Sequence, residues 1–213
     1  MSVVSRPAAA ACLFVAALTA GCASAPPGRP VLHQTPPTLG HYPYTDADVE
    51  FMSGMIPHHA QAVVMAGWAA SHGARKDVAI LCERIVVGQR DEIALMQTWL
   101  RDRGEAVPDA ASTRHKMKMN GVEHEMLMPG MLSDEEMAEL DRARGPEFDR
   151  LFLIGMIKHH QGAIGMVETL LKSYGAAQDE TVFKFANDVQ ADQSIEIDRM
   201  EKMLEDRGAR INE

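Results

Sequence analysis

The sequence predicts an all-α protein, a four-helix bundle made of two tandem helical hairpins joined by a long crossover rich in Met and His. Three observations predict it. Ala, Leu, Met, Glu and Arg dominate, and these favour helix, whereas aromatics make up only 5% of the chain. One block of sequence occurs twice. Within each copy the apolar residues recur at the helical period.

The first copy begins F-M-S-G-M-I-P-H-H-A-Q-A-V-V-M at Phe51, and the second F-L-I-G-M-I-K-H-H-Q-G-A-I-G-M at Phe152. Phe51, Gly54, Met55, Ile56, His58, His59, Ala62 and Met65 match Phe152, Gly155, Met156, Ile157, His159, His160, Ala163 and Met166. The match resumes at Gln89 (Q-R-D-E-I-A-L-M) and Gln193 (Q-S-I-E-I-D-R-M). The copies close at Arg103-Gly104 and Arg207-Gly208, and the second is longer at the turn near Tyr174 to Asp179. A repeat of this kind that cannot cover its apolar face alone must pack on its twin.

The first helix is predicted from Asp46 to His72, capped by Thr45 with Asp48 in the first turn and ended by Gly73. Its stripe is Met52, Met55, Ile56, His59, Val63 and Ala66. The second runs from Lys76 to Arg103, with the stripe Val78, Leu81, Cys82, Ile85, Gln89, Glu92, Ile93, Met96, Trp99 and Leu100. In the crossover, Ser133 and Glu136 form a capping box for a short helix to about Arg144. Pro146 suits a first helical position, and Gly175 marks the turn into the last helix. That helix's stripe is Val182, Phe185, Val189, Gln193, Glu196, Ile197, Met200 and Leu204. The layout is repeat one at 46–104, crossover at 105–145 and repeat two at 146–208.

Residues 1–21 read as a signal peptide. Arg6 precedes an apolar run from Ala8 to Ala20 that is too short to span a bilayer, ending in L-T-A-G-C. Cleavage there makes Cys22 the lipidated first residue; a plain secretory signal cut nearby is the alternative. Either way the mature protein is exported, the lipidated form being held on the membrane by its anchor. Pro26, Pro27, Pro30, Pro36, Pro37 and Pro43 make residues 22–45 an extended tether, in which His33 and His41 are solvated. With Cys12 and Cys22 accounted for, only Cys82 remains, so there is no disulfide framework, and Cys82 reads as a buried core residue. The net charge of −9 argues against nucleic acid as a partner.

The stripes carry residues that a plain core does not choose: His59, Gln89 and Glu92, and their counterparts His160, Gln193 and Glu196, with His58 and His159 beside them. Counting from the turns, His59 is level with Gln89, both roughly 22 Å from their turn, and His160 is level with Gln193. Buried polar groups need partners. One reading is a hydrogen-bonded layer that sets helix register. The other is a metal site in which Met55 with His59, and Met156 with His160, share a helix face, with Gln89, Glu92, Gln193 and Glu196 supporting the rings. Imidazole with thioether suits copper. The Glu-x-x-His signature of di-iron carboxylate bundles is absent from these helices.

The chain has 15 Met. The crossover concentrates His115, Met117, Met119, His124, Met126, Met128 and Met131. As a flexible segment it can wrap a copper(I) ion, since thioethers are neutral soft donors; alternatively it is an apolar strap over the bundle. The interleaved Lys116, Lys118, Glu123 and Glu125 favour a water-facing segment.

The twin G-M-I-x-H-H blocks, the M-P-G-M before a short acidic helix, and E-F-D-R-L-F-L at Glu147 resemble the bacterial domain-of-unknown-function family 305, over about Asp46 to Asp206. The resemblance implies a ferritin-like fold, export, and copper binding of the kind that aids copper resistance. The implied positions are Met55, His58, His59, Met156, His159 and His160, plus the Met-rich crossover. Pro57 stands where the second copy has Lys158, and it costs the first helix a hydrogen bond. The expected function is an envelope-anchored protein that binds or buffers copper. A non-metal partner-binding helical module is the alternative; a metal-dependent redox enzyme, which would need an open coordination position on its metal, is the less favoured reading, and no nucleophile–base pair or Gly-rich phosphate loop points to other catalysis.

Overall fold

The computed structural model describes residues 32–33, 43–119 and 122–211. The signal segment, Cys22 and His41 lie outside the described residues. The chain is mostly helical: α1 (Asp46–Gly67), α2 (Lys76–Asp102), α3 (Asp134–Arg142), α4 (Pro146–Lys172) and α5 (Glu180–Ile211). Two antiparallel pairs of short strands accompany them, β1 (Leu32–His33) with β2 (Tyr44–Thr45), and β3 (His115–Met119) with β4 (Val122–Met126). Among the described residues no helix is long and apolar enough to cross a membrane.

The start signals act as read. Thr45 and Asp48 form a reciprocal capping box on α1, and Ser133 and Glu136 do so on α3. Pro146 opens α4. Four expectations need correction. The first regular helix stops at Gly67, not His72, and Trp68 to Gly73 form a looser helical turn. Gly73, at φ 69°, ends that turn, where the Ala74 amide reaches back to the Ala69 carbonyl at 3.0 Å. The tether is not wholly extended, since Leu32–His33 pairs with Tyr44–Thr45. The backbone of α5 passes through Gly208 to Ile211, whereas Gly104 ends the first copy at φ 70°. The crossover contains a β-hairpin, because H-K-M-K-M and V-E-H-E-M alternate with the strand period of two.

Hairpins α1–α2 and α4–α5 pack on each other through α1 and α4. Gly54 and Gly155 make room for the crossover at this contact: a methyl group at Gly54 would lie 2.7 Å from Met128 Cε and one at Gly155 3.1 Å from Leu132 Cδ2, with Met166 Cε and Met65 Cε at ordinary contact distance. Two core clusters result. One, around Phe51, Met55, Trp99 and Phe185, lies toward the C-terminal part of α2; the other, around Met65, Leu81, Phe152 and Met156, lies toward its start.

Buried carboxylates fasten each hairpin to the other's turn. Asp48, fully buried, accepts from the Thr45 amide (2.7 Å) and from the Ala177 amide (2.7 Å) in the α4–α5 turn, where Ala177 holds φ 54°. Asp149, at the equivalent place in α4, accepts from the Arg75 amide (3.1 Å) in the α1–α2 turn. A buried ion pair closes the Asp48 end, at the α4–α5 turn. Asp179 receives Arg103 at 2.5 Å and Trp99 Nε1 at 3.0 Å, while the Arg103 guanidinium lies 4.2 Å from the Trp99 ring centroid.

Removing a buried carboxylate leaves its amide partners unsatisfied. Asp48→Ala and Asp149→Ala are each expected to lower unfolding free energy by about 1–3 kcal/mol. Urea midpoints at constant m check this.

Candidate metal centre

Consecutive histidines on a helix point about 100° apart, so one face alone cannot bury both. Here both are buried because α1 and α4 are enclosed on several sides. His58, His59, His159 and His160 are each 0% exposed. His58 and His159 meet across the α1–α4 contact with ring centroids 3.8 Å apart and planes inclined by 39°. His58 Nε2 lies 3.0 Å from the Pro129 carbonyl, which only accepts, so Nε2 carries the proton and Nδ1 the lone pair. His58 Nδ1 and both ring nitrogens of His159 are buried with no hydrogen-bond partner among the described residues. Burial, then the neighbouring His59, holds His58 well below the ordinary imidazole pKa; the Pro129 carbonyl opposes this only weakly. Burial, then His58, does the same for His159.

The other two rings are held by carboxylates. His59 Nε2 donates to Glu92 at 2.7 Å and His160 Nε2 to Glu196 at 2.6 Å; the carboxylates are 25% and 26% exposed. In the neutral ring this leaves the lone pair on Nδ1, and both Nδ1 atoms are buried with no partner among the described residues. The residue that reaches each ring is thus the carboxylate nearly one turn beyond the glutamine expected to be level with it. Gln89 and Gln193 are buried, and their Oε1 atoms have no partner among the described residues.

The crossover lies against α1 and α4 at this level. Gln61 clamps Leu132 twice, its Oε1 accepting from the Leu132 amide (2.7 Å) and its Nε2 donating to the Leu132 carbonyl (3.0 Å). On the α4 side Pro129-Gly130 rests on Gly162, where a Cβ would lie 2.0 Å from the Pro129 oxygen. Gly130 adopts φ 78° and faces the Lys158 carbonyl. Lys158 Nζ bonds Glu136 at 2.7 Å. Met128 packs over Gly54, and its amide meets Met131 Sδ at 3.2 Å.

The expected donors are therefore brought together only in part. Met55 and Met156 are fully buried on the helices that carry the histidines, but belong to separate core clusters. His115, Met117, Met119, His124 and Met126 lie on the β3–β4 hairpin. Among the described residues no three His, Cys, Asp or Glu side chains converge as a ready metal-holding group. Cys82 is a buried core thiol, pushed up to about 12 by burial. Gln61, the Pro129 carbonyl and Gly162 were not legible as site groups in the sequence, although Gln61 and Gly162 are among the positions where the two copies differ. The hairpin was missed although Asn120-Gly121, a dipeptide typical of two-residue hairpin turns, separates its two alternating halves.

The family model described as "Domain of unknown function (DUF305)" matches residues 48–204. This chain is a member of the DUF305 family. Among solved structures, it resembles a DUF305 protein from Streptomyces coelicolor, at 26% identity and TM-score 0.64, over 76% of this chain and 94% of that one. A DUF305 fragment from Deinococcus radiodurans matches at 27% identity and TM-score 0.62, over 76% and 98%. CopM in its Cu(II)-bound form matches at 29% identity and TM-score 0.59, over 75% and 96%; CopM was also solved with Cu(I) and with Ag. An uncharacterised protein of Acanthamoeba polyphaga mimivirus is 32% identical over 56 residues. That stretch is 26% of this chain and spans only 37% of the viral protein.

For this DUF305 protein the buried rings set a pH dependence. His58 and His159 stay neutral when folded, so below the usual imidazole value of 6.5 the unfolded chain binds protons that the folded one does not. Stability of the metal-free protein is expected to be full above that pH and to fall as pH drops through it. The slope approaches about 2.7 kcal/mol per pH unit for two rings. Urea unfolding across this range checks it. Gly162→Ala is expected to cost about 1–3 kcal/mol by overpacking, and to speed hydrogen exchange at the Leu132 amide.

Proposed function

We propose that this protein is an exported copper-binding protein, anchored at the cell envelope through Cys22, that buffers copper as cargo. In this reading residues 1–21 are a signal peptide, 22–45 a tether and 46–208 a ferritin-like four-helix bundle. The observation that carries it is the set of four fully buried imidazoles on α1 and α4, each with at least one ring nitrogen lacking a hydrogen-bond partner among the described residues. A core that wanted only packing would hold none of them, since burying an unpaired polar atom costs free energy.

The chemistry of the set fits a soft or borderline ion. Glu92 and Glu196 hold the Nε2–H of His59 and His160, leaving Nδ1 as donor, the carboxylate–histidine arrangement that orients metal ligands. His58 and His159 are disfavoured from protonating, so their lone pairs stay available at neutral pH. Met55 and Met156, four residues before His59 and His160, would add thioethers. CopM, solved with Cu(I), Cu(II) and Ag, supports the assignment. No catalytic step is proposed. A second reading, favoured by the absence of a ready three-ligand group among the described residues, makes the layer a device for helix register.

Competition titration with Cu(I) and Cu(II) separates the two. Wild-type protein is expected to bind copper at sub-micromolar concentration. Replacing His58, His59, His159 and His160 by Ala should weaken binding at this site at least about 100-fold, and Glu92→Gln with Glu196→Gln about 10–100-fold. No binding above background at micromolar copper would leave the register reading standing.

A further inference from the structure

Strands β1 and β2 fix where the chain leaves the bundle. Leu32 pairs with Thr45, the N-cap of α1, and His33 with Tyr44. Tyr44 is buried, donates from its hydroxyl to Glu105 at 3.0 Å, and meets the Trp99 ring edge-on at 5.2 Å. The exit point is therefore seated at the end of the bundle where α1 starts, α2 finishes and α4 turns into α5. The pairing also shortens the reach to Cys22. Counted from Leu32 the separation is 10 residues (32 − 22), against 23 (45 − 22) counted from Thr45. Ten residues span at most about 36 Å. That is less than the roughly 40 Å length of a helix of 27 residues such as α4.

The same end carries the exposed aromatic side chains. Among the described residues, the Phe, Tyr and Trp rings that stand out in solvent are Tyr174, 77% exposed, and Phe183, 54% exposed. They flank the α4–α5 turn, and Leu171, in the last turn of α4, is exposed beside it in sequence. Single exposed apolar residues are ordinary on a protein surface. Here the exposed aromatic residues gather at the end from which the tether runs, while the Phe and Trp rings elsewhere are buried or half-buried. The lysines flanking the turn are paired within their own helices, Lys172 with Glu168 at 3.0 Å and Lys184 with Asp188. They offer no free basic patch to anionic headgroups, so a lipid contact at this end is apolar and interfacial.

We propose that this end of the folded domain docks on the bilayer that holds Cys22, with Leu171, Tyr174 and Phe183 seated in the interfacial layer. Aromatic rings favour that layer, Tyr above all because its body is apolar and its tip polar. Three side chains would hold a free protein on a vesicle only weakly. A short tether changes this, because it keeps the docking end within reach of lipid at an effective concentration of about millimolar or more. Docking also orients the bundle. The α1–α2 turn and α3, which gather at the opposite end around Asp149 and His72, then point away from the lipid. This rests on the reading of Cys22 as a lipid anchor and adds a lipid contact made by the domain itself.

The test couples the full mature chain, residues 22–213, through Cys22 to a maleimide-bearing lipid in phosphatidylcholine nanodiscs that also hold a headgroup spin label. Cys82 is buried and does not compete for the coupling. In the wild-type chain the amides of residues 171–183 are expected to broaden, and those of 71–77, at the opposite end, to stay sharp. Added salt should leave the pattern unchanged, since the contact is apolar. Leu171→Glu, Tyr174→Glu and Phe183→Glu together, all at exposed positions, should abolish the end-specific broadening with the far-UV spectrum unchanged. Equal broadening at both ends, broadening centred elsewhere, or a pattern that the triple variant keeps would overturn the docking; the wild-type comparison decides it even if the variant misfolds. Mass spectrometry of Cys22 in the exported protein tests the anchor separately. An unacylated Cys22 retires the anchor and this proposal with it, whereas an acylated Cys22 without end-specific broadening retires the docking alone.

Discussion

The structure depends on how closely α1 and α4 approach. Gly54 and Gly155 lack side chains where Met128 and Leu132 of the crossover press onto the two helices, with Met166 and Met65 in ordinary contact beyond them. That approach places the His58 and His159 rings 3.8 Å apart and removes four imidazoles from water. Everything else near the centre answers the resulting demand for hydrogen-bond partners. Glu92 and Glu196 come from the outer helices to take one nitrogen each, and the Pro129 carbonyl takes a third. The nitrogens left over have no hydrogen-bond partner among the described residues.

The same constraint explains why the two copies are not identical. Their differences near the histidines fall where the crossover lies. Gln61 holds Leu132 by two hydrogen bonds, while its counterpart Gly162 is bare because the Pro129 carbonyl occupies the space a side chain would need. Lys158, where the first copy has Pro57, pairs with Glu136 at the start of α3. A strand of chain can lie over only one side of a two-fold contact, so each copy carries residues suited to its own side. At the starts of α1 and α4 the likeness is kept: Asp48 and Asp149 each fasten the other hairpin's turn.

Much of this was legible in particular residues. Thr45 with Asp48, Ser133 with Glu136, and Pro146 act over a single turn, so their helix starts follow from local chemistry. The stripe residues of α2 were recognisable as core because burial of one helix face imposes the 3.6 period; only Glu92 is left partly exposed. Other features resisted. The last turn of the first helix is looser than periodicity implied, since Trp68 to Gly73 also serves α3 and α4, with His72 bonded to the Asp141 carbonyl and its own carbonyl to the Gly145 amide. The crossover's alternation pointed to strands, yet its wealth of Met and His drew attention to ligand chemistry instead of period.

By itself the sequence determined the helical character, the places where helices begin, the pairing of two like hairpins, and which polar residues would stand on apolar faces. These are properties of neighbours a few positions apart, where capping, periodicity and side-chain softness act directly. Only the tertiary structure decided that Glu92 rather than Gln89 reaches His59, that His58 faces His159, and that the strap seats on Gly162. Those outcomes depend on distances between segments far apart in the chain. Such distances are set by how all the buried groups find partners at once.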